Sequence, residues 1–218
     1  MTIACLHTAA SNIAIFDAAA HASGMPLAQL SHLVMPHLLA EAELSGGMTA
    51  AQQQRLTQML HSLTPWFDAI LITCSTLGAV ADEMDNAQAR CPIYRTDRML
   101  ADEVHRLAGS TQVLCAAEST LASTRKLFCP PTLPAVRHPE VRLIPGAWAA
   151  FKAGQHEKYH AMIAEAVQQA RTQGADQVAL AQVSMAAALP HIPPALQPLT
   201  SPQLALRFVL AHINRRDR

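Results

Sequence analysis

The chain has 218 residues, of which 50% are hydrophobic and only 15% are charged. That is enough for one large domain or two small ones. Sixteen basic residues balance sixteen acidic ones, and aromatic residues make up 4% of the chain, so the composition argues against a protein that binds nucleic acid or a membrane surface. We therefore expect a small-molecule partner, with no nucleic acid and no membrane.

The sequence also bears on location and on metal binding. No apolar run approaches the roughly 20 residues of a membrane span, and the opening MTIACLHTAASN lacks the basic start of a signal peptide. We therefore expect a cytoplasmic protein whose five cysteines are thiols. They form no C-x-x-C pair and have no histidine at zinc-ligand spacing beside them, so no metal site is expected.

Strand-like and helix-like segments alternate along the first half of the chain. The predicted strands are 2–7, 67–73 and 92–95. The predicted helices are 26–44, 49–63, 77–85 and 98–108. Thr49 is a candidate N-cap, and Arg95 and Asp97 are expected to be solvated or to cap a helix. This alternation predicts a parallel sheet covered by helices on both faces.

The second half of the chain repeats the order of the first. VLCAAEST (113–120) matches the first strand, with Cys115 aligned to Cys5, and ADQVALAQVSMAA matches FDAILITCSTLGA, with Asp176 aligned to Asp68. Two proline-containing segments match in the same order. Four ordered matches at nearly half the chain length indicate an internal duplication.

The duplication predicts an α/β fold of two similar parallel-sheet halves related by a pseudo-twofold axis. The predicted first half is 1–108, and the second is 109–200. A C-terminal helix, 201–218, is expected to pack back on the first half. Because parallel sheets bind ligands beyond the carboxyl ends of their strands, we expect the active site in a cleft between the halves.

The stretch TCSTLG (73–78) places a thiol and three hydroxyls at a strand-to-helix turn. A helix N-terminus attracts carboxylates, and Ser75 and Thr76 add hydroxyl donors. The same position favours the thiolate of Cys74, whose pKa is expected to fall toward neutrality, so that the thiolate serves as a base or a nucleophile. The alternative is a small thiol packed under the helix.

The other four cysteines are expected to have no catalytic role. Cys5 and Cys115 lie inside apolar strands, where core packing is the expected role. Cys91 and Cys129 flank prolines in loops, and we expect them to be incidental.

Polar residues follow the first strand of each half. In the first half these are His7, Thr8 and Asn12, and in the second they are Ser119 and Thr120. His7 is a candidate second proton carrier, with a structural hydrogen-bonded histidine as the alternative. The hydroxyl residues are candidates for binding a ligand, with ordinary helix capping as the alternative.

The duplication also aligns the turn at Cys74 with the second half. Cys74 corresponds to Gln182, and Thr76 corresponds to Ser184. Gln182 is a candidate for orienting the substrate or stabilising an enediolate, and Ser184 is a candidate hydroxyl donor to a bound anion.

These motifs resemble the aspartate/glutamate/hydantoin racemase superfamily over essentially the whole chain. The resemblance rests on TCSTLG, its half-length counterpart LAQVSMA, and the ESTLAST segment. It implies cofactor-independent racemisation by two opposed cysteines, a homodimer, and a small carboxylate or amide-like substrate. Carried over by position, Cys74 is the first catalytic cysteine, and Ser75 and Thr76 bind the substrate carboxylate. Thr120 and Ser184 are further carboxylate ligands.

The chain departs from that pattern at the second cysteine, where Gln182 stands. An amide transfers no proton near neutral pH, so a symmetric two-thiol racemase is not expected. Proton chemistry by Cys74 alone, at the carbon next to a carboxylate, is the first hypothesis. An arylmalonate-decarboxylase-like lyase, a maleate-isomerase-like covalent cysteine enzyme and an inactive small-acid-binding protein are the alternatives.

Overall fold

The computed structural model describes residues 1–84, 86 and 89–216. It divides into two compact units. The first contains Met1–Met99 together with Pro202–Arg218, and the second is Leu100–Ser201. Across the described residues, no helix is long and apolar enough to cross a membrane.

The first unit is built around a four-stranded parallel sheet. Its strands are β1 (Ile3–His7), β2 (Leu30–Val34), β3 (Ala69–Ile72) and β4 (Ile93–Arg95). Its helices are α1 (Asn12–Ala22), α2 (Pro36–Leu44), α3 (Ala50–Leu63), α4 (Ser75–Asp82), the first turn of α5 (Thr96–Arg106) and, from Pro202, α9 (Ser201–Arg216). The strand order is β2-β1-β3-β4, and all three pairings are parallel.

The second unit has the same arrangement. Its strands are β5 (Thr111–Cys115), β6 (Glu140–Leu143), β7 (Gln177–Leu180) and β8 (Leu199–Thr200). Its complete helices are α6 (Leu121–Phe128), α7 (Ala147–Lys152) and α8 (His156–Thr172), with a 3-10 helix at Val183–His191. The order β6-β5-β7-β8, again all parallel, repeats that of the first sheet. The predicted α/β fold of two similar halves is confirmed.

The central strands are buried on both faces, which explains their continuous apolar sequences. Every residue of β1, β3 and β5 is buried, as parallel sheets covered by helices require. Cys5 and Cys115 are fully buried, so the prediction that they pack in the core is confirmed. The predicted N-cap is confirmed too: the Thr49 hydroxyl accepts a hydrogen bond from Gln52 N, and the two residues form a capping box.

The prediction of a helix over 26–44 is wrong in its first part. Residues Leu30–Val34 form strand β2, which pairs with β1, and the helix begins only at Pro36. The segment LSHLV has its apolar residues at the first, fourth and fifth positions, which is a helix-like spacing. Its pairing with β1, a contact between segments distant in sequence, makes it a strand.

The expectation for Arg95 and Asp97 is also wrong. Both side chains are buried, and they form a two-point ion pair, with Arg95 Nε 2.7 Å from Asp97 Oδ1 and Nη2 2.9 Å from Oδ2. Arg95 Nη1 also donates to Asp82 Oδ2 at 2.5 Å. Arg95 lies at the carboxyl end of β4, where the approach of α4 leaves its guanidinium no route to solvent.

Gly78 in α4 is required by this ion pair. A Cβ atom at Gly78 would lie 2.9 Å from Arg95 Nε and 3.2 Å from Arg95 Cζ. Because the guanidinium is held by Asp97 and Asp82, it cannot move aside freely.

We therefore expect Gly78→Ala to destabilise the protein by about 1–3 kcal/mol, although alanine is the better helix former by about 1 kcal/mol. The measurement is the free energy of unfolding in urea. Ala79→Gly at the next, exposed position should cost about 1 kcal/mol by helix propensity alone. A stabilised Gly78→Ala variant would contradict the packing described.

Candidate active site

Cys74 lies at the carboxyl edge of the first sheet, between the end of β3 and the start of α4. It is the residue before the first helical turn, with extended backbone angles (φ −100°, ψ 120°). Its side chain is half-buried and packs against the core under α4. The predicted placement of this thiol at a helix start is confirmed.

The polar surroundings of the thiol come from the loop after β1 and from the first turn of α4. Hydrogen bonding by the hydroxyls of Thr8 and Thr76 lowers the pKa of Cys74, as do the backbone N–H groups of Thr76 and Leu77. Burial acts in the opposite sense and is the largest effect, so the pKa of Cys74 is raised. The expected fall toward neutrality is therefore wrong, because desolvation of the thiolate outweighs the helix start.

This predicts how Cys74 reacts with an alkylating reagent. The rate at Cys74 should keep rising with pH beyond the ordinary thiol pKa of about 8.5, because only the thiolate reacts. Mass spectrometry of the native protein after timed exposure to iodoacetamide, from pH 6 to 10.5, measures this residue by residue. Cys5 and Cys115 are internal controls, since both are buried and should stay unmodified. An apparent pKa for Cys74 below 8.5 would contradict the prediction.

Ser75 and Thr76 occupy the first turn of α4 and are both partly buried. The Thr76 hydroxyl oxygen makes no hydrogen bond of normal geometry within the described residues, although it lies near enough to the thiol to lower its pKa. Asn12 begins α1, and its side-chain oxygen is likewise buried without a partner among the residues described. The first unit thus contains two unsatisfied polar atoms among the residues that the sequence singles out.

His7 is fully buried at the end of β1, and both of its ring nitrogens have partners. Nδ1 lies 2.8 Å from Thr73 Oγ1, and Nε2 lies 2.9 Å from His32 Nδ1. His32 Nε2 in turn lies 3.1 Å from Asp17 Oδ1. A chain of four side chains therefore leads from Asp17 to Thr73, the residue before Cys74.

The burial of His7 determines its protonation state. Burial lowers the pKa of His7 to about 4, and His32 acts in the same direction, while Asp17 opposes both. His7 is then neutral near pH 7 and has one N–H, so one of its nitrogens donates and the other accepts. Both positions are occupied, which leaves this ring no nitrogen for a ligand.

In the second unit, Gln182 bridges two loops at the corresponding edge of the sheet. Its Oε1 accepts a hydrogen bond from Ala116 N at 2.5 Å, and its Nε2 donates to Thr120 Oγ1 at 2.9 Å. Thr120 Oγ1 donates onward to Ala117 O. Gln182 and Thr120 are both buried. The predicted binding residues Gln182 and Thr120 are therefore in contact, and both are engaged within their own unit.

The other two predicted residues of this unit have different surroundings. Ser184, in the first turn of the 3-10 helix, is 2.9 Å from the hydroxyl of Tyr159, which is fully buried. Ser119 is exposed.

Both units share one arrangement: the second residue after the third strand of each half interacts with a threonine that follows the first strand. In the first unit the contact joins Cys74 to Thr8, and in the second it joins Gln182 to Thr120. Adjacent parallel strands bring these positions together. Gln182 thus has a structural use at the position where the duplication would place a second thiol.

Neither Asp17 nor Tyr159 was predicted as a site residue. Thr73 was predicted only as one of the three hydroxyls of the turn, and His32 only as part of the helix 26–44. His32 was hidden because strand β2 was interpreted as helix. Tyr159 carried no signal, since it lies in the middle of a helical pattern and reaches Ser184 only through tertiary packing.

Comparison with solved structures relates this fold to racemases. The chain resembles the aspartate racemase of Picrophilus torridus (TM-score 0.69, 10% identity, covering 98% of this chain and 94% of that one). It also resembles the allantoin racemase of Klebsiella pneumoniae (TM-score 0.66, 13% identity, covering 98% of this chain and 88% of that one). A third similar structure is the glutamate racemase of Francisella tularensis in complex with D-glutamate (TM-score 0.66, 12% identity, covering 100% of this chain and 82% of that one).

No protein-family model matches the sequence, and no curated protein is significantly similar to it. At these identities the likeness is one of fold. The chain has the fold of these aspartate, glutamate and allantoin racemases, as the resemblance of the sequence motifs predicted.

Proposed function

We propose that this protein is a cofactor-independent enzyme of the racemase type, in which Cys74 moves a proton at the carbon next to a carboxylate or amide-like group of a small molecule. The observation that carries the proposal is the half-buried thiol at the start of α4, with the Thr8 and Thr76 hydroxyls beside it. The racemase fold supports it, since the solved relatives include enzymes named for aspartate, glutamate and allantoin.

The first turn of α4 is the proposed site for the anionic group of the substrate. Its N–H groups and its partial positive charge attract a carboxylate. The hydroxyls of Ser75 and Thr76 would add donors, and the buried, unpartnered oxygen of Thr76 is in place to bind one. We assign Asn12 a further polar contact for the same reason.

We propose that His7 positions groups around the thiol rather than carrying a proton. Its ring is buried, its pKa is low, and both nitrogens are engaged. It holds Thr73, and through it the turn at Cys74. The second-unit residues Ser119, Thr120, Gln182 and Ser184 stay predicted substrate contacts.

Cys74 is proposed to act without a second thiol. Gln182, at the aligned position, has no proton to transfer near neutral pH, and its amide is occupied by Ala116 and Thr120. A single acid/base returns the proton to the face from which it was taken. The product is then the starting enantiomer with solvent hydrogen at the α-carbon.

A substrate with one carboxylate, or an amide-like ring, fits better than a dicarboxylate. Arg95, the arginine at the carboxyl edge of the first sheet, is already paired with Asp97 and Asp82. Asp82 also accepts from Arg98. Neither arginine is therefore available to a second carboxylate without breaking an ion pair.

The experiment is a screen for deuterium uptake from deuterated water. The panel contains both enantiomers of monocarboxylic amino acids, of aspartate and of glutamate, together with allantoin and substituted hydantoins. We expect deuterium at the α-carbon of at least one member with its configuration retained, read by proton NMR and chiral chromatography. No uptake by any member above the buffer rate would contradict the proposal.

Decarboxylation with one-sided protonation is the second candidate, favoured by the raised pKa of Cys74. A thiol that stays protonated at neutral pH is suited to donating a proton to a carbanion formed by loss of carbon dioxide. Arylmalonates added to the same panel test it. Carbon dioxide release with a single enantiomer as product would support this reaction, and uptake without carbon dioxide release would support the first.

A further inference from the structure

Three metal-binding side chains converge in the second unit, where α8 begins and the 3-10 helix Val183–His191 ends. They are Glu157, His160 and His191, and one ligand atom from each lies within 4.8 Å of the other two. Glu157 and His160 are three residues apart on α8 and therefore share one face of the helix. His191 reaches them from the last position of the 3-10 helix.

One of these three side chains, His160, has an unsatisfied ring nitrogen. Its Nδ1 atom is buried and has no hydrogen-bond partner among the residues described. Its ring lies 5.3 Å from that of His191, centroid to centroid. Buried polar atoms in native proteins are nearly always paired, and the unpaired Nδ1 leaves this imidazole with a ring nitrogen that no described residue occupies.

Two imidazoles and one carboxylate are a donor set that suits Zn²⁺, with a fourth position left for water or another ligand. Tetrahedral ligand atoms at bonds of about 2.0–2.1 Å lie about 3.4 Å apart. The three ligand atoms, which lie within 4.8 Å of one another, would therefore close by at most about 1.4 Å. Glu157 and His191 are exposed, while His160 is half-buried and fixes the position of the site.

We propose that Glu157, His160 and His191 form a binding site for a divalent transition metal of zinc type. A bound ion would join the first turns of α8 to the end of the 3-10 helix. The opposite end of that 3-10 helix is attached to α8 by the Tyr159–Ser184 hydrogen bond. The ion and this hydrogen bond together would therefore fix both ends of the segment that contains Ser184.

The test is zinc binding by the full chain, freed of metal by a chelator. Titration calorimetry with ZnCl₂ should give one equivalent per chain, with the affinity reduced at least tenfold in His160→Ala and in His191→Ala. Saturation should raise the melting temperature of the wild type by roughly 5–10 °C at about 100 times Kd. His61→Ala, which removes an exposed histidine on α3, is the matched control and should bind like the wild type.

The absorption spectrum of the Co²⁺ complex distinguishes metal binding at this site from metal binding by cysteine thiolates. Co²⁺ bound by imidazoles and a carboxylate lacks the strong near-ultraviolet absorption of a thiolate complex, so we expect visible bands alone. Equal zinc affinity in the wild type, His160→Ala and His191→Ala would overturn the proposal. A thiolate band in the stoichiometric Co²⁺ complex, or no binding by the wild type, would also overturn it.

Discussion

Replacing Cys74 by alanine is expected to lower the rate of α-carbon deuterium uptake by at least about 10³-fold, the scale of a lost general acid/base. Cys74 is the proposed proton carrier, and no second thiol stands at the aligned position, where Gln182 is found. The measurement is the initial rate of uptake for the panel member that exchanges fastest, with each variant compared at equal, saturating substrate.

Two variants make this result specific to the thiol. Cys74→Ser keeps the size of the side chain and should be nearly as inactive as Cys74→Ala, because a hydroxyl ionises far above the thiol range. Cys129→Ala removes the other half-buried cysteine and should keep the wild-type rate. Equal rates in the wild type and Cys74→Ser would refute the catalytic assignment.

Thr8→Val extends the test from the thiol to its surroundings. The Thr8 hydroxyl lowers the pKa of Cys74, so its loss should raise that pKa further and move the pH–rate profile to higher pH. At a fixed pH below the pKa, each unit of that shift lowers the thiolate fraction tenfold. A lower rate at every pH, with an unmoved profile, would indicate that Thr8 has only a structural role.

Asp97→Ala is expected to destabilise the protein by about 3–5 kcal/mol, the cost of leaving a buried charge without its partner. Arg95 is only 5% exposed, and two of its three hydrogen bonds to carboxylates go to Asp97. The remaining partner, Asp82, is more exposed. The free energy of unfolding, from urea titration followed by circular dichroism, measures the loss.

Arg98→Ala provides the comparison, since Arg98 pairs with the same Asp82 at an exposed position. Surface ion pairs contribute about 0–1 kcal/mol, so this variant should be nearly as stable as the wild type. Replacing both Arg95 and Asp97 by apolar residues of similar size should recover much of the stability that Asp97→Ala loses. A loss below 1 kcal/mol in Asp97→Ala would show that the buried pair does not hold β4 against the start of α5.

The arrangement of strands and helices could be predicted because each signal for it is local. Strands β1, β3 and β5 each contain a run of at least three apolar residues, and TCSTLG marks the point where a strand gives way to a helix. The duplication is visible as ordered matches half a chain apart. These features depend on residue type and spacing, so they placed Cys74 at a helix start and led to the racemase fold.

What the sequence could not supply is how polar groups are desolvated and paired. The position of Cys74 predicted a lowered pKa, but burial, which depends on the whole unit, raises it. The sequence shows His7, His32 and Asp17 as separate residues. The pairing of β2 with β1 brings His32 to His7, and Asp17 reaches His32 from α1.

The sequence by itself therefore determined the fold class, the repeated half and the position of the thiol, because hydrophobic periodicity and residue spacing are local properties of the chain. Tertiary structure alone decided which side chains are buried and which meet. Arg95 and Asp97 form a buried pair instead of an exposed one. Glu157 and His160 meet His191, 31 residues beyond His160 along the chain, where no motif indicates a metal site. Contacts between elements distant in sequence depend on packing, and packing has no local signature.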